Sequence, residues 1–188
     1  PYDYNEPHLH EVNMTRLVQL YAGESLCWTP YKVHGIGVKI DLLSQQVLVG
    51  VIARFISTRI GDEWLICGDV EYSNGSKFFY VKYLTYADGF CHYEVPAESY
   101  EWVELSIFRD FHNSNKWSAV VRYRTLVILW RDVTMAQPNE FMAYAKSLNK
   151  YNRIDAHFTN LAWMSYHYPE TQLWGNNRYG LSSTVTLR

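Results

Sequence analysis

The residues best suited to chemistry are acids set among aromatic, strand-like sequence: Glu63, Glu71, Glu94, Glu98, Glu101 and Glu104. Two carboxylates held about 5 to 9.5 Å apart can cleave a glycosidic bond, and tryptophan-rich surfaces suit sugar rings. No spacing in the chain singles out such a pair. The run from Glu98 to Glu104 alternates with apolar residues, as the solvated face of a strand does. A nucleophilic site fares no better, since no Gly-x-Ser-x-Gly motif occurs and His92 next to Cys91 must point to the opposite face of a strand. His8 and His10 have the His-x-His form of a metal-binding pair but lack a third ligand nearby. Gly35-x-Gly37 lacks the third glycine and following helix of a dinucleotide loop, so it predicts a bulge or a close backbone approach. The residues assign no catalytic group, no metal and no cofactor, and they read as a non-enzyme.

The elements that must position these residues are mostly strands. From Lys77 to Val133 the chain runs through short apolar stretches separated by polar turns. Asp88-Gly89 and Ser73-Asn74-Gly75-Ser76 are set to close hairpins. Gln46 to Ile56 is nearly continuous apolar sequence and predicts a strand covered on both faces. Even spacing of this kind predicts a mainly β fold, an antiparallel β-sandwich. Two helices are expected beside it. In Leu9 to Tyr21 the residues Met14, Leu17, Val18 and Tyr21 fall at helical spacing ahead of Gly23. Near residues 139–152, Phe141, Tyr144, Ala145, Leu148 and Tyr151 form a helical stripe behind an Asn139 cap. The expected organisation is a single domain over 1–188, with an arm and helix in 1–23, the sandwich in 31–133, and a helix and C-terminal strand in 139–188.

Composition narrows the partners. Lys and Arg total 17 against 19 Asp and Glu, a net charge of −2, which speaks against a phosphate-binding surface for nucleic acid. No apolar run reaches the length of a membrane-spanning helix, and the polar start does not read as a signal peptide. Three cysteines, Cys27, Cys67 and Cys91, form no C-x-x-C pair and read as reduced apolar side chains in an intracellular setting. Sequons at Asn13 and Asn74 are read as chance matches. The 16 tyrosines, 8 phenylalanines and 7 tryptophans exceed what one core needs, so part of this aromatic surface is expected to meet other molecules.

The segment Asn139 to Asn152, the later run Asn176-Asn177-Arg178-Tyr179-Gly180-Leu181-Ser182-Ser183, and the earlier His92-Tyr93-Glu94-Val95-Pro96-Ala97-Glu98-Ser99-Tyr100 resemble parts of cypovirus polyhedrins in order and spacing. The resemblance covers about half the chain. It implies a structural protein that self-assembles as trimers and then as an intracellular crystal lattice, embeds virus particles, and dissolves at alkaline pH. The implied location is the occlusion body in the cytoplasm of an infected host cell. The helix at Met14, Leu17, Val18 and Tyr21 would clamp neighbouring copies, and a bound nucleotide is implied only as it is in some relatives. The chain is short for that family.

Tyrosine chemistry suits such a release, because phenols are neutral at pH 7 and anionic near pH 10, about where lysines lose their charge. On this reading Tyr2, Tyr4, Tyr21, Tyr144, Tyr151, Tyr166, Tyr168 and Tyr179 are the candidate pH-sensitive contacts. Two alternatives stand beside it. One is a secreted β-sandwich that binds or cleaves carbohydrate; the other is a jelly-roll viral capsid subunit, which would ordinarily carry a basic arm that Pro1 to Glu11 lacks.

Overall fold

A computed structural model describes residues 8–11, 18–21, 25–28, 35–41, 47–85, 89–97, 102–110, 112–138, 140–147, 151–152, 155–165 and 186–187. Among these residues fourteen strands run in chain order as β1 (His8–Glu11), β2 (Val18–Tyr21), β3 (Ser25–Trp28), β4 (Gly35–Asp41), β5 (Val51–Ile60), β6 (Glu63–Tyr72) and β7 (Lys77–Thr85). They continue as β8 (Gly89–Pro96), β9 (Trp102–Arg109), β10 (Lys116–Tyr123), β11 (Leu126–Thr134), β12 (Glu140–Ser147), β13 (Asp155–Ser165) and β14 (Thr186–Leu187). Every pairing is antiparallel. One sheet has eight strands in the order β11, β10, β9, β4, β13, β2, β14, with β1 also on β13; the other has six, in the order β3, β12, β5, β6, β7, β8.

The hairpins form where turn chemistry places them. Gly61, with φ of 56°, turns β5 into β6, and Gly75, with φ of 88°, turns β6 into β7, left-handed conformations that a Cβ disfavours. Asn74 Oδ1 accepts from the Ser76 backbone N–H at 2.9 Å and closes the second of these turns. Strands β7 and β8 pair from Phe78 opposite Pro96 to Thr85 opposite Gly89; the turn between them lies outside the described residues.

Both expected helices need correction. Residues 140–147 are strand β12, not helix, paired with β5 on one side and β3 on the other. The stripe of Phe141, Tyr144 and Ala145 coexists with a period of two: Phe141, Ala143 and Ala145 are fully buried while Glu140, Met142 and Lys146 are not. Pairing with two neighbours satisfies the backbone, and that long-range gain overrides local helix preference. The described parts of the N-terminal segment are likewise strand. His8–Glu11 pairs with Ser165 to Ala162, and Val18–Tyr21 pairs with Phe158 to Asp155. Met14 and Leu17 lie outside the described residues, and no helix is found among those described.

Two further expectations shift. The run from Gln46 to Ile56 becomes a strand only at Val51; Leu48 and Val49 are exposed, and their backbone is held by Asn152. The bulge expected near Gly35 and Gly37 sits instead on the facing strand, where β13 carries an extra residue between Thr159 and Ala162.

The core lies between the sheets. From the six-stranded side it takes Ile52, Ile56, Leu65, Cys67, Phe79, Val81, Phe141, Ala143 and Ala145. Ile36, Val38, Ile40, Val103, Leu105, Ile107, Trp117, Ala119 and Val121 face them from the other. These positions alternate along their strands as inward faces must. Arg54, 1% exposed, lies on the same inward face and is held by Asp69, its cross-strand partner. Gly68 marks a close approach to strand β5. A Cβ there would run into the Arg54 carbonyl oxygen and the Phe55 backbone, so only glycine fits.

Candidate binding face

The outer face of the six-stranded sheet is built from the residues that alternate with the core positions. Register lays them out in rows across the strands. One row runs Met142, Ser57, Ile66, Lys82, His92; the next runs Tyr144, Phe55, Gly68, Tyr80, Glu94; a third runs Lys146, Ala53, Val70, Phe78, Pro96. Glu140, Arg59, Trp64 and Leu84 form the row beyond Ser57.

An outer sheet face is ordinarily polar and solvated. Here it carries a second hydrophobic cluster in which Phe55, Val70 and Tyr80 are buried, with Ile66, Tyr72, Phe78, Met142 and Tyr144 packed around them half-buried. Phe55 and Tyr144 meet with ring centroids 5.4 Å apart, and Tyr72 meets Phe78 edge-on at 5.9 Å. Gly68 makes room for this packing, because a side chain between Phe55 and Tyr80 would separate them.

Polar groups border the cluster on one side. His92 stacks on Tyr80 at 5.9 Å and its Nε2 contacts Glu94 Oε2 at 2.9 Å. The Lys82 ammonium lies 5.4 Å from the Tyr80 ring centroid. Burial lowers the pKa of Lys82, repulsion from Lys146 lowers it further, and Glu94 partly opposes them. Burial raises the Tyr80 phenol well above the usual range, and the Asp69 carboxylate, with Cys67 nearby, adds to the effect. At the far edge Arg59 lies 4.8 Å from the Trp64 ring and 3.6 Å from Glu140.

The acids singled out in the sequence separate in space. Glu63 Oε1 accepts a hydrogen bond from the Tyr83 hydroxyl at 2.9 Å; Glu71 is buried near Lys77; Glu94 is on the outer face described above; Glu104 belongs to the opposite sheet. Glu98 and Glu101 lie outside the described residues. Among the described residues two acids share the outer face, Glu94 on β8 and Glu140 on β12, and they are four strand spacings apart, about 19 Å across the sheet at ~4.8 Å per strand. That exceeds the reach of a carboxylate pair acting on one glycosidic bond.

Of the candidate contact tyrosines, Tyr144 lies on this face and Tyr151 is exposed at 60%. Tyr21 and Val18 are in β2, while Tyr2, Tyr4, Tyr166, Tyr168 and Tyr179 lie outside the described residues. His8 and His10 are in β1, and among the described residues no group of three His, Cys, Asp or Glu could hold a metal ion. Among the same residues no helix is long and apolar enough to cross a membrane. Sequence reading missed Phe55, Tyr80, Lys82 and Lys146 as members of one face. The signal was present in the apolar residues at both parities of β5, β6 and β7.

No protein-family model matches the chain, and no curated protein matches it either. Solved structures do. Scytalido-glutamic peptidase with a transition state analog inhibitor superposes with a TM-score of 0.57 at 8% identity, over 87% of this chain and 95% of the peptidase. The binding domain of botulinum neurotoxin DC in complex with SialylT gives 0.52 at 10% identity, over 88% of this chain and 44% of the other. The GH43 protein BlXynB from Bacillus licheniformis gives 0.51 at 14% identity, over 87% and 38%. At these identities the likeness is one of fold: a two-sheet antiparallel β-sandwich. Since a peptidase shares it, the fold offers no argument for a non-catalytic protein.

Proposed function

We propose that this protein is a β-sandwich carbohydrate-binding protein and that the outer face of its six-stranded sheet is the binding surface. The observation that carries this reading is the second hydrophobic cluster, Phe55, Val70 and Tyr80, on a face that does not belong to the core. Half-buried Tyr144, Tyr72 and Phe78 give a sugar ring apolar surface to lie on, and His92, Glu94 and Lys82 border it with hydrogen-bonding groups. The distance between Glu94 and Glu140 favours binding over glycoside cleavage. The likeness to a toxin binding domain in complex with SialylT and to a GH43 protein supports the reading at the level of fold alone.

A glycan array followed by calorimetry tests it. Binding to at least one saccharide class is expected, weakened about tenfold or more by Tyr144→Ala, which removes a half-buried ring from the face. An array with no binding above background refutes the reading.

A second reading, self-assembly into a lattice like that of polyhedrins, draws support from different residues. Leu126, Val127 and Trp130 are exposed on β11, an edge strand, and Tyr151 is 60% exposed. Light scattering from pH 7 to 11 tests it: particles at neutral pH that dissolve cooperatively on alkalinisation support assembly, and a monomer throughout removes it.

A further inference from the structure

Strand β8 ends the six-stranded sheet, and among the described residues no strand pairs with its other side. An edge of this kind offers backbone N–H and C=O groups to another strand. The Ala97 N–H donates to the Lys77 carbonyl at 2.9 Å, which continues the β7–β8 ladder one step past Phe78 opposite Pro96. In an antiparallel ladder successive residues turn their backbone groups to alternate sides. Val95 and Tyr93 therefore face β7 with theirs, whereas His92 and Glu94 direct theirs away from it.

The side chains of this edge are complementary to themselves. His92 and Glu94 lie on the outer face of the sheet, on either side of Tyr93, and their 2.9 Å contact shows that the two groups suit each other. Let β8 meet a second β8 about a two-fold axis at Tyr93. His92 then falls opposite the partner's Glu94, and Glu94 opposite the partner's His92. A shift of two residues, the smallest that keeps each face on its own side, sets His92 against His92 or Glu94 against Glu94. Matched cross-strand pairs stabilise and like charges oppose, so the side chains favour the register centred on Tyr93.

We propose that this chain forms a two-fold symmetric dimer in which β8 pairs antiparallel with the β8 of a second copy, joining the two six-stranded sheets into one. His92 and the partner's Glu94 exchange both of their backbone hydrogen bonds, and the Phe90 N–H reaches the carbonyl of the partner's Pro96. Proline has no N–H to return, which suits the end of a ladder. The two Tyr93 residues meet at the axis as a non-hydrogen-bonded pair, with Cα atoms about 4.5 Å apart. Tyr93 is 41% exposed in the single chain, and the Arg131 guanidinium from β11 lies 4.3 Å from its ring centroid, bracing it from the opposite sheet. This pairing does not depend on what the outer face binds. If that face takes saccharide, the dimer sets two aromatic clusters side by side, with Tyr80 and the partner's Tyr80 three strand spacings apart, about 14 Å at ~4.8 Å per strand.

Sedimentation equilibrium of the whole chain from about 1 to 100 µM tests the proposal, with a species of twice 22.1 kDa as the expected result. His92→Glu sets acid against acid, and Glu94→Lys sets a lysine against histidine; each should weaken the dimer about tenfold or more, because symmetry repeats every mismatch. Mixed in equal amounts, the two variants should form a heterodimer at least as tight as the wild type, since every His or Lys then faces a Glu. Circular dichroism matching the wild type establishes that each variant folds, and rescue by mixing is a result that a merely destabilised chain cannot give. Tyr93→Cys should cross-link on mild oxidation through a residue 93 to residue 93 disulfide, identified by peptide mass spectrometry. A wild type that stays monomeric across the range overturns the proposal and leaves β8 to a strand of a different protein. A dimer that is indifferent to His92→Glu, or that mixing does not restore, overturns the pairing through β8. A dimer without the 93–93 cross-link overturns the register.

Discussion

Replacing Arg54 with methionine should destabilise the protein more than any apolar truncation of similar size. Arg54 is 1% exposed, and its guanidinium is committed on three sides. Nε donates to Asp69 Oδ1 at 3.0 Å, Nη2 to Asp69 Oδ2 at 2.6 Å, and Nη1 to the Asp41 backbone carbonyl at 2.9 Å. The Asp41 carboxylate lies 3.8 Å from Nη1, and Glu71 adds a further attraction. Burial by itself would pull the guanidinium's pKa down, yet these acids, Asp69 first, raise it above its ordinary value, so it stays charged. Methionine fills much of the arginine stem's volume but leaves Asp69, 2% exposed, as a carboxylate without its partner. Breaking a buried pair in this way costs about 3–5 kcal/mol, a large share of the roughly 5–15 kcal/mol that holds a domain folded. The double change Arg54→Met, Asp69→Leu removes both charges and should recover most of the loss, since apolar isosteres of buried pairs are often neutral or better. Urea unfolding of the wild type, both single variants and the double variant closes the cycle. A single-variant cost below about 1 kcal/mol, or a double variant no more stable than Arg54→Met, would refute the reasoning.

Three other perturbations follow from the same structure. Gly68→Ala should cost about 1–3 kcal/mol in urea unfolding, because its Cβ meets β5 backbone that cannot move without breaking the ladder, whereas Gly50→Ala, with nothing near its Cβ, acts only through its φ of 70°. Asn152→Ala should loosen residues 47–50: Oδ1 accepts from the Leu48 and Val49 N–H groups at 2.8 and 3.0 Å, and Nδ2 donates to the Val49 carbonyl at 2.7 Å. Faster amide exchange at Leu48 and Val49, with a loss of about 1–3 kcal/mol, is the expected result; unchanged exchange would refute the clamp. Stability should also fall in alkali. Burial raises the Cys67 thiol and the Tyr80 phenol above their unfolded values, so both stabilise fully below about pH 8.5 and this contribution is lost as pH rises and the unfolded chain ionises. Tyr80→Phe should therefore move the alkaline unfolding midpoint upward, and an unmoved midpoint would exclude Tyr80 as a cause.

That alkaline behaviour bears on the polyhedrin-like reading. Any pH-driven release has to draw on exposed phenols such as Tyr151, because Tyr80 stays neutral in the fold well past the pH at which a free phenol ionises. Counting tyrosines overstates the charge a folded lattice can develop, and burial is the quantity that a count lacks.

Much of the β architecture was legible in local sequence. Gly61 and Gly75 mark turns by backbone preference alone, and the alternation in Trp102 to Arg109 names Val103, Leu105 and Ile107 as inward residues, all fully buried. Both follow from properties a residue carries with it: the missing Cβ of glycine and the period of two along a strand. Whether Glu140–Ser147 would be helix or strand was not such a property. Its spacing admits both, and pairing with β5, some eighty residues earlier in the chain, decided it by satisfying the backbone across two neighbours. The candidate site has the same origin. Phe55, Tyr80, Lys82, Lys146 and Ser57 come from three strands whose order in the sheet is set by pairing over long separations, so their meeting on one face belongs to the tertiary structure.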